Sequence, residues 1–194
     1  MVKIKKWQVI NGILLLTPSF ISCGNTTWDY LIPLPTFVLN INENVLDGIK
    51  EEYCNDNTLF YNKLTIPKTI ETMTNFICND NQSVLSSIKK IDYEHSCNCQ
   101  TFLSPTINNL PNLETIILPP KITNLEKQCI TNCLNLKIID ITNVVECQCL
   151  INNNWISNIR PTGSIICVQS QKDYVEQLIK NNKQFLQKWS IVIE

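Results

Sequence analysis

The chain has 194 residues, of which 44% are hydrophobic, and its formal net charge at pH 7 is -1. This length and composition suit one globular domain with a core of its own and a short targeting segment. The small net charge and the absence of any run of like charges argue against a nucleic-acid partner, because proteins that bind nucleic acids usually present a basic face.

Residues 1–23 have the layout of a secretory signal peptide. Lysines at positions 3, 5 and 6 precede an apolar run over residues 9–16, and the small residues Ser22 and Gly24 flank Cys23 after it. The apolar run is too short for a comfortable membrane span. We therefore expect a protein that is secreted or held at the cell surface, and that touches a membrane only through this segment.

The end of this segment also resembles the cleavage box of bacterial lipoproteins, in which the cysteine carries the lipid. Cys23 is then the predicted lipidation site, as in an outer-membrane lipoprotein. Phe20 and Ile21 depart from the usual box, which has Leu and a small residue at these positions. The alternative interpretations are a buried N-terminal strand and an uncleaved anchor.

Residues 24–60 are predicted to form an N-terminal cap, because an open-ended stack of repeats exposes its core at the end. Residues 36–41 have the pattern of a strand, and residues 45–53 have the pattern of a short helix.

An internal repeat is clearest between residues 109–118 and 132–141. Both segments fit the frame Asn-x-x-Asn-Leu-x-x-Ile-x-(Leu/Ile), and they lie 23 residues apart. The Ile-x-Leu part of the frame predicts a short strand with alternate residues on one side. Pro119 would end the first of these strands, because proline cannot donate the next backbone hydrogen bond.

The frame continues outwards with more drift, so that repeats are predicted over residues 61–168. A single unit cannot bury its apolar side, whereas stacked units share a continuous core. Residues 77–112 fit least well, since Tyr93 is followed directly by Glu94 and not by a proline. The outer matches are Tyr61, Leu64 and Ile66, then Ile88, Ile91 and Tyr93, and finally Thr162, Ile165 and Cys167.

Residues 118–139 resemble the repeat of BspA-like leucine-rich-repeat surface proteins (leucine-rich repeat, type 5). The matching positions are Pro119, Ile122, Leu125, Cys133, Leu136 and Ile139, with Ile130 where that family commonly has Phe. The resemblance covers about residues 60–194. It implies an α/β repeat fold, namely a short right-handed leucine-rich-repeat solenoid of about four to five coils with a parallel β-sheet face. It also implies a cell-surface role in adhesion or protein recognition.

Residues 169–194 are predicted to form a C-terminal capping helix and strand. Tyr174, Leu178, Phe185 and Trp189 recur at helical spacing, and this stripe is expected to pack on the core. Residues 165–168, followed by Tyr174 and Trp189, also resemble the closing unit of the BspA-like family, which has a final strand, a Tyr-bearing helix and a late Trp.

The ten cysteines leave several interpretations open. His95, Cys97 and Cys99 could belong to a zinc site, but Cys-x-Cys spacing is less typical of zinc modules than Cys-x₂-Cys. Cys99 and Cys149 lie 50 residues apart, about two repeats, which is more typical of core positions. We expect no metal and no cofactor, and the spacing does not separate disulfides from buried thiols.

A non-enzymatic binding protein is the predicted function, and two alternatives remain. One is a thiol- or zinc-dependent enzyme around His95, Cys97 and Cys99. It lacks the rest of a catalytic frame, and the four glycines form no phosphate-binding loop. The other is an intracellular structural or regulatory repeat scaffold, which would require that the N-terminal segment is not a signal peptide.

The outward strand residues are the predicted contacts for a protein or glycan ligand on host matrix or on a cell surface. Ile117 and Ile138 favour binding over a purely solvated face, because adjacent exposed apolar groups need a cover. The predicted contacts are Thr65, Lys89, Asp92, Thr115, Ile117, Ile138 and Asp140.

Overall fold

The computed structural model describes residues 39–49, 63–74, 85–86, 88–152 and 154–194. Within these ranges the chain forms three β-sheets and short helices near its C-terminal end. The predicted signal segment over residues 1–23, the lipidation site Cys23 and most of the predicted cap over residues 24–60 lie outside the described residues.

The largest sheet has six strands, all parallel to their neighbours. Its strands in chain order are β3 (Lys63–Ile66), β5 (Lys90–Tyr93), β8 (Thr115–Ile117), β11 (Ile138–Asp140), β13 (Thr162–Cys167) and β14 (Lys188–Ile193). They lie side by side in chain order. The parallel strands predicted from the repeat are therefore present.

The register of this sheet follows the repeat frame. One buried row crosses five adjacent strands, at Leu64, Ile91, Ile116, Ile139 and Ile165. Each residue of this row occupies the same position of the frame. Burial explains why the strands keep this register. If one strand shifted by one residue against its neighbours, its buried side chain would point towards solvent.

Two smaller sheets are built mostly from strands of two residues. One contains β1 (Leu39–Asn42), β2 (Val45–Ile49), β4 (Thr72–Met73), β6 (Thr101–Phe102) and β9 (Asn124–Leu125), and the other contains β7 (Ile107–Asn108), β10 (Ile130–Thr131) and β12 (Ile156–Ser157). Between β5 and β11 the chain runs twice from the large sheet to the first small sheet and then to the second before it returns. The core lies between the three sheets, and it contains isoleucine, leucine and cysteine side chains with Phe102 and Trp155.

The prediction of a helix over residues 45–53 is wrong for residues 45–49, because Val45–Ile49 forms strand β2. β2 pairs antiparallel with β1, and Glu43 lies in the connecting turn with a φ of 54°. β2 also pairs in parallel with β4, which places the buried Leu46 beside Met73. The pairing with two strands therefore outweighs the local helical pattern.

The predicted C-terminal helix is present, but it is divided. A 3₁₀ turn (Gln169–Gln171) leads into α2 (Lys172–Asn181), which is followed by α3 (Lys183–Leu186), while α1 (Cys149–Asn152) lies earlier in the chain. Val175, Leu178 and Leu186 bury the apolar side. Every helix in the described ranges is too short or too polar to cross a lipid bilayer.

Trp189 does not belong to the helical stripe, because it lies on strand β14. Its ring packs over Gly163, where an added Cβ would lie 2.8 Å from the ring and 2.6 Å from the Lys137 carbonyl oxygen. The indole N–H donates to the Arg160 carbonyl at 3.0 Å. The tryptophan thus fixes the last strand to its neighbour, which helical spacing in the sequence does not reveal.

Candidate binding face

The outward residues of the six-stranded sheet form two rows, which we call the outer face. Strand register aligns the first row as Lys63, Lys90, Thr115, Ile138, Ser164 and Ser190. The same register, carried one residue beyond the β5–β8 pairs, aligns the second row as Thr65, Asp92, Ile117, Asp140, Ile166 and Val192.

The structure brings six of the seven predicted contacts onto this face. Thr115 and Ile138 are neighbours in the first row, and the second row holds Thr65, Asp92, Ile117 and Asp140. Ile166 and Val192 extend the face towards the C-terminus, and the weak repeat match there gave little indication of them.

Lys89 lies one residue before β5, outside the two rows, and is exposed. Its carbonyl oxygen accepts hydrogen bonds from the backbone N–H groups of Glu114 and Thr115, at 2.8 and 3.0 Å. Lys90 takes the place in the row beside Thr115. The prediction of Lys89 as an outward strand residue is therefore wrong, and Lys90 takes that position. Ile91 aligns with the buried Ile116, so the residue before each of them must face outwards.

The N-terminal end of the outer face carries a charge cluster around Asp92. The Asp92 carboxylate lies 2.8 Å from the Lys63 ammonium and 3.6 Å from that of Lys90, and the Tyr93 N–H donates to it at 2.8 Å. Burial acts to raise the pKa of Asp92, but the hydrogen bonds and the lysine charges outweigh it, so that the pKa lies below its ordinary value. The carboxylate therefore stays ionised and holds both lysines at this end.

The middle of the face carries three isoleucines. Ile117, Ile138 and Ile166 are each partly exposed, on three adjacent strands. Val192, 40% exposed, continues the patch on β14. Asp140 lies among them, and its carboxylate accepts hydrogen bonds from the Thr142 N–H at 2.9 Å and the Thr142 hydroxyl at 2.7 Å. Along the direction in which the strands are stacked, the face therefore changes from the salt-bridged cluster to a region where isoleucines surround Asp140.

The residues proposed for the alternative thiol site do not share one environment. His95 is exposed, whereas Cys97 and Cys99 are completely buried. The Cys97 thiol donates to the Pro67 carbonyl at 3.6 Å. Burial raises the pKa of both thiols, that of Cys99 to about 12. A thiol nucleophile needs a thiolate and hence a lowered pKa, so this arrangement does not favour nucleophilic catalysis.

All seven cysteines in the described ranges are buried free thiols, at positions 97, 99, 129, 133, 147, 149 and 167. Burial raises the pKa of each one, for example to about 12 for Cys133 and to about 11 for Cys149. In this part of the chain no group of three His, Cys, Asp or Glu residues could hold a metal ion. Of the interpretations left open by the sequence, buried thiols describe these seven positions; Cys23, Cys54 and Cys78 lie outside the described residues.

A groove that sequence reasoning missed lies between the loop 142–148 and the chain leading into α2. Its volume is about 630 Å³, and Val145, Cys147 and Tyr174 are among the lining residues. Gln171 shapes it, because its amide N–H₂ donates to the carbonyls of Ile141 and Val144, at 3.0 and 2.8 Å. These contacts join residues about 30 positions apart, and no local sequence pattern indicates them.

Comparison of the chain with protein-family models, with curated proteins and with solved structures finds no match. The geometry of the outer face is therefore the starting point for the function.

Proposed function

We propose that the chain is a short right-handed leucine-rich-repeat solenoid of the BspA-like type, and that its outer face binds a protein ligand at or outside the cell surface. The observation that carries this proposal is the apolar patch of Ile117, Ile138 and Ile166 on an otherwise polar, outward-facing surface.

The solenoid interpretation is supported by the way in which the repeat frame maps onto strand pairing. Residues at the same position of the frame pair across neighbouring strands, for example Ile116 with Ile139 and Ile139 with Ile165. The segments between these strands also pair in parallel with one another, as β4, β6 and β9 in one small sheet and as β7, β10 and β12 in the other. Repeat proteins of this kind offer an extended surface on which ligands bind.

The binding interpretation rests on the side chains of the outer face. A sheet with one solvated face normally alternates inward apolar and outward polar residues, so outward isoleucines on three neighbouring strands need a reason. Lys63, Lys90 and Asp92 at one end would orient a ligand by charge, and the isoleucines would supply apolar contact area. Neither row contains an aromatic ring on which a sugar could stack, which favours a protein over a glycan.

Export is part of the proposal and rests on the sequence of residues 1–23, with Cys23 as the proposed lipid attachment site. Mass spectrometry of the N-terminus of the native protein tests this part. A chain that begins at or near residue 23 supports export, and an intact Met1 in a soluble fraction would support the intracellular scaffold instead.

Binding is tested with the double variant Ile117→Glu/Ile138→Glu and a panel of purified extracellular-matrix proteins immobilised on a sensor surface. We expect the wild-type chain to bind at least one of them, and the double variant to lose at least tenfold in affinity, because two charges would be buried in an apolar contact. The matched control is Leu134→Glu, since Leu134 is 59% exposed and lies outside both rows.

Two results would contradict the proposal. One is equal binding by the wild-type chain and a correctly folded double variant, as judged by circular dichroism. The other is an equal loss of binding in the Leu134→Glu control, which would show that added negative charge, and not the outer face, decides the affinity.

A further inference from the structure

Strand β14 is the last strand of the six-stranded sheet, and within the described ranges it pairs with β13 alone. The Glu194 N–H donates to the Cys167 carbonyl on the β13 side at 3.0 Å. Backbone groups alternate between the two sides of a strand, so Trp189, Ile191 and Ile193 present their N–H and C=O groups to the opposite edge. This edge is a template on which another extended chain can pair.

The edge has little protection against strand addition. Natural proteins usually guard such edges with proline, a β-bulge or charges in mid-strand. β14 has neither proline nor charge between Trp189 and Ile193, and its register with β13 is continuous. Val192 and Ile193 are 40% and 41% exposed. Charged side chains occur only at the two ends, at Lys188 and Glu194.

We propose that β14 is a dimerisation edge, and that two copies of the chain pair antiparallel through it to form one continuous sheet. A twofold axis perpendicular to the sheet brings identical edges together and keeps both outer faces on the same side. The proposal does not depend on the proposed ligand-binding function.

The backbone geometry restricts the register of this pairing. Residues that present N–H and C=O to the edge must lie opposite one another, which leaves registers centred on residue 190, 191 or 192. The register centred on Ile191 gives the longest ladder, because Ile191 lies opposite its own copy and each Trp189 lies opposite Ile193 of the other chain.

The same register matches the charges at the ends of the strand. Lys188 of each copy lies opposite Glu194 of the other, on the outer face, and the pair occurs twice because of the twofold axis. Both side chains are exposed in the single chain and free to approach a partner. Opposite charges at directly opposed positions stabilise an antiparallel pair, and like charges destabilise it. The register with the most backbone hydrogen bonds is thus also the one with complementary charges, which identifies a second copy as the partner.

Charge reversal tests the proposal in the full chain, by sedimentation velocity at increasing protein concentration. We expect the wild-type chain to form dimers, and Lys188→Glu and Glu194→Lys each to weaken dimerisation about tenfold, because each change opposes like charges at both ends. An equimolar mixture of the two variants, and the double variant Lys188→Glu/Glu194→Lys, should dimerise like the wild type.

Lys180→Glu is the matched control, since it makes the same charge change on an exposed position of α2, and we expect it to dimerise like the wild type. A wild-type chain that stays monomeric up to its solubility limit overturns the proposal. So does association that neither single reversal weakens, which would place the contact elsewhere. Open-ended oligomers in place of dimers would show that β14 pairs with a different edge, and would also overturn it.

Discussion

The central region (residues 88–141) and the C-terminal region (residues 142–194) are held together in different ways. In the central region the same contact recurs from one repeat to the next. Asn112 and Asn135 each donate a side-chain hydrogen bond to a backbone carbonyl of the preceding segment, at 2.7 and 2.6 Å. In the C-terminal region, single side chains such as Trp155 and Gln171 make contacts that have no equivalent elsewhere in the described residues.

The two regions differ in their contacts because the repeat becomes irregular after residue 141. Between β5 and β11 each turn of the chain adds one short strand to each of the two small sheets. After β11, α1 takes the place of the next strand after β9, while β12 continues the other small sheet. The side chains beneath α1 can no longer continue the preceding rows. Trp155 fills this space; it is completely buried, and its indole N–H donates to the Leu150 carbonyl at 2.8 Å. Stability should therefore be shared among many residues in the centre and concentrated in a few at the end.

The largest expected effect comes from Trp155→Ala. Removal of a completely buried indole leaves a cavity, and we expect the free energy of unfolding to fall by about 3–5 kcal/mol. Urea denaturation followed by circular dichroism measures this loss. Trp155→Phe keeps most of the ring and loses the hydrogen bond, so it should cost clearly less. Equal losses in the two variants would mean that the hydrogen bond, and not the buried volume, holds this region.

Gln171→Leu should have an intermediate effect. The side chain is 5% exposed, its N–H₂ group donates to three carbonyls, and its oxygen accepts from the Val168 N–H at 3.0 Å. Leucine keeps a similar volume and offers none of these partners, so we expect a loss of about 2 kcal/mol in the free energy of unfolding.

The control for this position is Gln169→Leu, the same change at an exposed residue of the same 3₁₀ turn. It should leave stability nearly unchanged. If it costs as much as Gln171→Leu, the loss reflects the helical turn itself and the special role of Gln171 is refuted.

The smallest expected effect is in the repeated part, at Asn132. Its side chain accepts from Asn158 at 2.6 Å and donates to Asn108 at 2.9 Å, and its φ is 56°, a conformation that asparagine tolerates better than alanine. We expect Asn132→Ala to cost about 1–2 kcal/mol in thermal or urea unfolding, because both exposed or half-buried hydrogen bonds are lost and alanine must adopt a positive φ.

Asn132→Gly separates the two causes. Glycine adopts a positive φ without strain, so only the hydrogen bonds are lost and the cost should be smaller than for alanine. A loss at Asn132 larger than that at Trp155 would reverse the comparison between the two regions.

The sequence located the largest sheet well, because its signal repeats. Leu113, Ile116 and Leu118 recur as Leu136, Ile139 and Ile141, and the strands pair with this same shift of 23 residues. The two small sheets were not predicted, since strands of two residues such as β7 and β10 are too short to show an alternation.

The candidate site was predicted in part for the same reason. Ile117 and Ile138 follow from the frame, whereas Ile166 and Val192 lie on strands whose repeat match is weak or missing. The helical spacing of Trp189 was misleading, because α2 and α3 end before it and pairing with β13 draws the residue into a strand.

By itself the sequence determined the spacing of the buried rows, and with it the parallel pairing and the outward side of each central strand. This was possible because every repeat carries the same inward residues, and one unit cannot bury them without its neighbours. Only the tertiary structure decided the state of the described cysteines, the division of the C-terminal helix and the free edge of β14. These features depend on contacts between distant residues that occur once, and a contact that occurs once leaves no period in the chain.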